Sequence, residues 1–282
     1  MRSRALVFRA LEAGRVRLWV DPELESAARA GHPGRLHLRP VRPRGWLAPL
    51  RSPGLLCLAR PLAELRTASR LRAAGVPVAR PALVVGRRRG LRWQVVVGSV
   101  LEEDAQDGRA FLASRPSVER VMCAARAAAR ALRRLHEAGG VHGDLHVGNL
   151  LLREQGGRAE VVIVDLDRAR VAPAPLAPRL RTAQLVRLYR SLEKLENNGH
   201  AGRVGPRVLA RFLADYTDGD RALRRALWSH LPAQRLRLRL HRLGWATAAW
   251  IRSSRGSGWA GRSPARSPAR ADRRGPASTG GS

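Results

Sequence analysis

Over residues 15–20 and again over 92–97, apolar and polar side chains alternate, and that period of two predicts β-strands. Between them, residues 62–74 read as a helix that Gly75 and Pro77 bring to a stop. The texture changes beyond residue 100. Ser117 can cap a helix running to Glu137, with Val121, Ala125, Ala128, Leu132 and Leu135 as its apolar stripe, and Gly139-Gly140 ends it. A short apolar strand follows at 161–164, then helices at about 179–195 and 204–216. A strand-rich front broken by Pro and Gly therefore precedes a helix-rich back.

From about Arg252 this patterning disappears. An Arg-Ser-Pro-Ala unit starts at Arg262 and again at Arg266, and the chain ends in Ser-Thr-Gly-Gly-Ser. Such a segment cannot bury enough apolar surface to offset its ordering entropy, so disorder is expected over 252–282. The remainder is long enough to bury a core, and 44% hydrophobic residues is an ordinary globular share. Cys57 and Cys123 are too few for a disulfide framework and lack metal-ligand spacing, which predicts buried thiols in a reducing compartment. No leader-like apolar run opens the chain and no stretch of about 18 apolar residues occurs, so a cytoplasmic location is expected.

Charge changes the picture most. The formal net charge is +31, and Lys194 is the only lysine, so the basic residues are almost all arginine. The tail holds seven Arg and one Asp, which leaves +25 on residues 1–251. A field of that sign attracts polyanions, whether nucleic acid, anionic lipid headgroups or phosphorylated glycolipids, and charge alone does not choose among them. The stretch 235–243, alternating Arg with Leu near Trp245 and Trp250, suits core packing better than a membrane surface, though it fits both.

The chemistry concentrates in two segments. His142-Gly143-Asp144-Leu145-His146-Val147-Gly148-Asn149 follows the long helix, and the apolar run 161–164 ends in Asp165-Leu166-Asp167. Phosphoryl transfer asks little covalent work of a protein; it needs an acceptor hydroxyl held in line and a metal that spreads phosphate charge. Asp144 can accept or orient the hydroxyl proton, Asn149 offers magnesium a neutral oxygen, and Asp165 offers it a hard anionic one. His142 is expected to brace the loop by hydrogen bonds. Metal binding by His142 and His146 together would need a helix, and Gly143 and Gly148 argue against one. Asp167 is either a second acidic contributor or the partner of Arg168 or Arg170.

The loop from His142 to Asn149 resembles the catalytic loop of kinase-like phosphotransferases, including aminoglycoside and choline kinases. Val164-Asp165-Leu166-Asp167-Arg168-Ala169-Arg170 is similar to the metal-binding motif of the lipopolysaccharide kinase family, especially kinases acting on the inner-core sugar Kdo. Leu71 to Pro81 and Arg181 to Lys194 share that similarity, which covers roughly residues 35–195. The resemblance implies an α+β, bilobal protein-kinase-like fold, with a β-rich N-lobe over 1–100, a helical C-lobe over 101–251 and the disordered basic tail. It also implies ATP and Mg2+ as cofactors, Asp144 as the catalytic aspartate, and Asn149 with Asp165 as metal ligands.

One departure stands out. Such kinases carry a strand lysine that touches the nucleotide phosphates and pairs with a helix glutamate, yet no lysine precedes Lys194. Arg39 matches that place best, with Glu64 as its partner, and the exchange is not conservative because the guanidinium is a larger planar fork. No phosphate-covering glycine loop is evident, since Gly14 and Gly31 stand alone. Three readings follow. The favoured one is a kinase for an inner-core sugar (Kdo or heptose), acting on Kdo-lipid A at an anionic membrane surface and peripheral to the inner membrane. The second is a small-molecule or Ser/Thr protein kinase. The third is a kinase-shaped basic protein that binds nucleic acid or membrane without turnover.

Overall fold

The computed structural model describes residues 9–13, 16–20, 35–42, 55–199 and 204–233, all of them within one compact unit. The expected membrane-or-core stretch at 235–243, Gly14, Gly31 and the tail at 252–282 lie outside the described residues.

Five strands form the first sheet: β1 (Arg9–Ala13), β2 (Val16–Val20), β3 (Leu36–Val41), β4 (Pro81–Arg89) and β5 (Arg92–Val100). Their order is β1-β2-β4-β5-β3, and every pairing is antiparallel. β3 lies at the edge of that order and pairs only with β5, a place where Pro40 can sit without breaking the ladder from both sides. Helix α1 (Ala59–Ala73) packs on β4; Leu65 of α1 joins Val41, Val84, Val95 and Val97 in a buried cluster beneath the sheet. The helix begins three residues earlier than its apolar spacing predicts. At its far end Gly75 takes φ 77°, left-handed geometry that favours glycine.

Beyond residue 100 come β6 (Ala105–Asp107), α2 (Gly108–Ala113) and α3 (Val118–Glu137), followed by β7 (Gly140–Val141), β8 (Leu150–Gln155), β9 (Arg158–Ile163) and β10 (Arg170–Val171). β6, β8 and β9 make a second antiparallel sheet, and β7 pairs with β10. Helices α4 (Pro178–Asn197), α5 (Pro206–Thr217) and α6 (221–233) complete the described chain.

Ser117 caps α3 as its sequence position suggests: its hydroxyl accepts from the backbone N–H of Arg120. The expected stripe is only part of what α3 buries. β9 packs on one side and α5 on another, so Ala124, Ala127 and Ala131 are buried as well as Leu132 and Leu135. Alanine on those faces lets strand and helix approach closely. The cysteines depart from expectation: Cys57 is exposed and Cys123 half-buried. Among the described residues, no helix is long and apolar enough to cross a membrane.

α3 and α5 meet at a polar contact inside the apolar core. The His136 ring is fully buried, and its Nδ1 lies 2.7 Å from the Tyr216 hydroxyl, with the rings edge-on at 5.7 Å. Burial pushes His136 down to about 3, and the nearby Arg181 charge adds to this. His136 is therefore neutral in the fold but titrates normally when unfolded, near pH 6.5. The unfolded chain binds more protons below that pH, so stability is full above pH 6.5 and falls as the pH drops towards 3. Between pH 7 and 5.5 this one ring should cost about 1 kcal/mol. Urea midpoints at the two pH values should differ less in His136→Gln than in the wild type; an equal dependence would remove His136 from the account.

Candidate active site

The loop after β7 is held mainly through its backbone. The buried His142 ring lies with Nε2 3.0 Å from the Val164 carbonyl, which can only accept, so Nε2 carries the proton. Nδ1 is then free to accept the Asp144 N–H at 3.2 Å. Burial lowers the His142 pKa, consistent with this neutral tautomer. His142 thus braces the loop, as its place beside Asp144 suggests. Its own N–H donates to the Gln184 side chain at 2.7 Å, and Arg187 donates to the Gly143 carbonyl, so α4 clamps the loop from beneath. Ser191, also on α4, accepts the Val147 N–H at 3.0 Å.

Gly143 is glycine for a steric reason. A Cβ there would stand 2.2 Å from the Cβ of Arg168 and 2.5 Å from its carbonyl oxygen. That close approach brings the segment after Asp165 against the loop. Asn149 is oriented just as tightly: its Nδ2 donates to the Asp144 carbonyl at 2.9 Å, which leaves its Oδ1 as the atom offered outwards. The exposed Asp144 carboxylate is therefore carried on a backbone pinned at both its N–H and its carbonyl.

Asp165 arrives from β9. The Pro77–Ala79 segment runs alongside that strand: Ile163 donates to Pro77 at 2.8 Å and accepts from Ala79 at 3.0 Å. Val164 then donates to the Asn149 carbonyl at 3.0 Å, tying the two metal-candidate segments together. Asp165 has φ 58°, left-handed geometry that costs a non-glycine residue of order 1 kcal/mol. Its Oδ1 is buried without a hydrogen-bond donor.

Arg39, on β3, donates to Glu64 of α1 at 2.6 Å and stands 3.6 Å from Asp165 Oδ1. Burial works against the Arg39 charge, yet Glu64, Asp165 and Asp167 outweigh it and hold its pKa above the ordinary value. Glu64 moves the other way from a simple ion pair. Desolvation raises its pKa, and the carboxylates of Asp167 and Asp165 reinforce this against the pull of Arg39.

The clamp on Asp167 comes from far along the chain, not from its sequence neighbours alone. Its carboxylate is clamped by Arg60, 107 residues away at the start of α1, through two bonds of 2.7 and 2.6 Å. Burial decides the partner: Asp167 is 8% exposed and faces α1. Arg60, Gln184, Arg187 and Ser191 are the supporting residues that motif reading leaves unassigned. The last three fall in the segment resembling the lipopolysaccharide kinases, whereas nothing local in the sequence marks Arg60.

The arrangement gathers three carboxylates, Glu64, Asp165 and Asp167, against two guanidiniums, with one carboxylate oxygen of Asp165 and one of Glu64 lacking donors. Those donorless carboxylate oxygens, beside an amide oxygen, suit a divalent cation. Among the described residues there is no cluster of three or more His, Cys, Asp or Glu side chains that would cage a metal outright. One carboxylate and one amide nevertheless fit magnesium, which keeps several waters and takes phosphate oxygens for the rest.

The profile of the lipopolysaccharide kinase (Kdo/WaaP) family matches residues 52–216, which span the catalytic-loop and Asp165 segments. A solved structure described as WaaP in complex with acyl carrier protein is similar over 83% of this chain and 89% of that chain, with 22% identity and a TM-score of 0.50. At that identity the likeness concerns the fold, and it agrees with an α+β kinase-like architecture built on an antiparallel sheet. No curated protein sequence matches the chain.

Breaking the Arg60–Asp167 clamp from one side should be costly. Arg60→Met removes the two-bond clamp from a carboxylate whose side chain is 2% exposed and should lower unfolding free energy by about 2–3 kcal/mol. Adding Asp167→Leu should restore most of that loss, because the buried charge goes with it. A double-mutant cycle in urea that shows strict additivity would mean the two side chains do not depend on each other.

Proposed function

We propose that this chain, which belongs to the lipopolysaccharide kinase (Kdo/WaaP) family by its match over residues 52–216, transfers the γ-phosphate of ATP to a sugar hydroxyl of the lipopolysaccharide inner core. Family membership makes it a kinase, and a kinase implies ATP. The acceptor we favour is Kdo or heptose on Kdo-lipid A, met at the cytoplasmic face of the inner membrane. The observation that carries the reading is the convergence of Arg39, Glu64 and Asp165 next to the loop that bears Asp144 and Asn149.

Each residue has a task that its surroundings fit. The Asp144 carboxylate, exposed on a pinned backbone, accepts or orients the proton of the acceptor hydroxyl as the oxygen attacks phosphorus. Arg39 lies on the β3 edge with Glu64 fixing one side of its fork, which leaves donors for phosphate oxygens. It thereby takes the part that lysine plays elsewhere in such kinases. Asn149 Oδ1 and the Asp165 carboxylate would hold magnesium. When bound, the ion neutralises the charge that builds on the phosphates. Asp167 carries no metal in this scheme; through Arg60 it fixes the segment that carries Asp165.

The acceptor is an anionic amphiphile, and the +25 on residues 1–251 favours a surface of that sign. A polybasic protein gains about 1 kcal/mol for each Lys or Arg near an anionic leaflet. The chain therefore works as a peripheral protein in this reading, held by charge.

Labelled-ATP transfer to Kdo-lipid A should be lost by a factor of about 10²–10⁴ in Asp144→Asn, with binding of ATP retained. Transfer undiminished in that variant would sink the assignment of Asp144. ATP binding without transfer in the wild type would point to another acceptor, and absence of both would leave a basic binding protein. Arg39 offers a separate reading. Arg39→Ala should raise the KM for ATP and lower kcat, while Arg39→Lys recovers part of both, since lysine keeps the charge but is a compact point charge in a place shaped for a larger planar fork. Equal kinetics in Arg39→Ala and wild type would overturn its phosphate role.

A further inference from the structure

A cavity of about 860 Å³ lies among the segment after α1, the connection from β5 to β6, α3, and the β8–β9 turn with β9. None of Arg39, Asp144, Asn149 or Asp165 lines it, so it is separate from the candidate active site. Seven of its nineteen lining residues are arginine, about twice the share of basic residues in the whole chain. The concentration therefore exceeds what the arginine-rich composition alone would place there.

The charges are not neutralised within the cavity. Its two carboxylates, Glu102 and Glu160, both face Arg153, at 3.9 and 3.4 Å. Arg126 reaches Asp215 at 3.7 Å. Arg130, Arg134 and Arg158 are exposed and have no acidic partner among the described residues. Arg130 and Arg134 are one turn apart on α3, so their stems are offset by about 6 Å along the helix, a spacing suited to neighbouring phosphate groups. Beneath them the lining is small and aliphatic: Val78, Ala127, Ala131 and Val161 are all buried.

We propose that this cavity is a second, non-catalytic anion site that takes a compact ring bearing at least two phosphate groups, gripped by Arg130, Arg134 and Arg158. Guanidinium forks bind phosphate through paired, charge-assisted hydrogen bonds, and the aliphatic floor accepts the carbon face of a ring. The volume is that of a small-ligand site. A nucleic-acid strand is disfavoured because the lining contains no aromatic side chain on which a base could stack. The ligand can be a free polyphosphorylated sugar or the phosphorylated sugar headgroup of a lipid. Its wall also includes Pro77 and Val78, which run beside Ile163, two residues before Asp165.

The test reads binding, not turnover, so its failure is distinguishable from failure of the kinase reading. The full chain, saturated with a non-hydrolysable ATP analogue and magnesium to fill the catalytic site, is titrated calorimetrically at physiological ionic strength with inositol hexakisphosphate. It is also titrated with vesicles containing a diphosphorylated glycolipid, and with vesicles of its dephosphorylated form. The triple variant Arg130→Gln/Arg134→Gln/Arg158→Gln is compared with Arg179→Gln/Arg207→Gln/Arg221→Gln, which removes three exposed arginines elsewhere. We expect the cavity triple to weaken binding at least tenfold and the control triple to change it less than threefold. Loss confined to the soluble probe identifies a free ligand, and loss confined to phosphorylated vesicles identifies a headgroup. Equal weakening by both triples, no weakening by either, or no binding by the wild type would each overturn the proposal.

Discussion

Three carboxylates, Glu64, Asp165 and Asp167, are drawn into one region from a helix and a loop more than 100 residues apart, and the guanidiniums of Arg39 and Arg60 face them. Like charges so close would repel each other without those arginines, which come from β3 and from the first turn of α1. The ion cluster therefore does two things at once. It fixes α1 and β3 relative to the Asp165 segment, and it leaves an orphan oxygen of Asp165 held in strained backbone geometry. A phosphotransfer site needs both: a fixed frame and a place for a cation.

The opposite wall is fixed mainly through backbone hydrogen bonds. His142 is kept uncharged by burial and uses its two ring nitrogens in opposite senses, donating to Val164 and accepting from Asp144. Protonating it would cost the second of these bonds. α4 supplies Gln184, Arg187 and Ser191 to the same loop. One wall is thus held by ion pairs and the other by bonds to its backbone, and Gly143 allows them to approach because it presents no Cβ to Arg168.

The arginine bias of the chain has a structural consequence at Arg39. An ammonium is a compact point charge with three donors, whereas the planar guanidinium holds Glu64 through one nitrogen and keeps further donors in a fixed fork. The bias that makes the surface broadly basic also places a phosphate-matched fork at the strand edge. The same residue type serves the surface and the candidate site alike, which is why net charge alone said so little about function.

Much of this was legible in the chain. Period-two alternation located β2 and β5, and Ser117 with Gly139-Gly140 bracketed α3, because turns, caps and pleats are set by neighbouring residues. The spacing of Asp144, Asn149 and Asp165 marked the candidate site for the same reason: they lie on two short segments held by local hydrogen bonds. What the sequence could not decide were the partners. Asp167 stood beside Arg168 and Arg170 but is gripped by Arg60, and α3 buried two faces where one stripe was visible. Pairing of charges depends on which side chains share a low-dielectric space, and enclosure of a helix depends on how many elements pack against it. Both are set by the path of the whole chain, so only the tertiary structure could settle them.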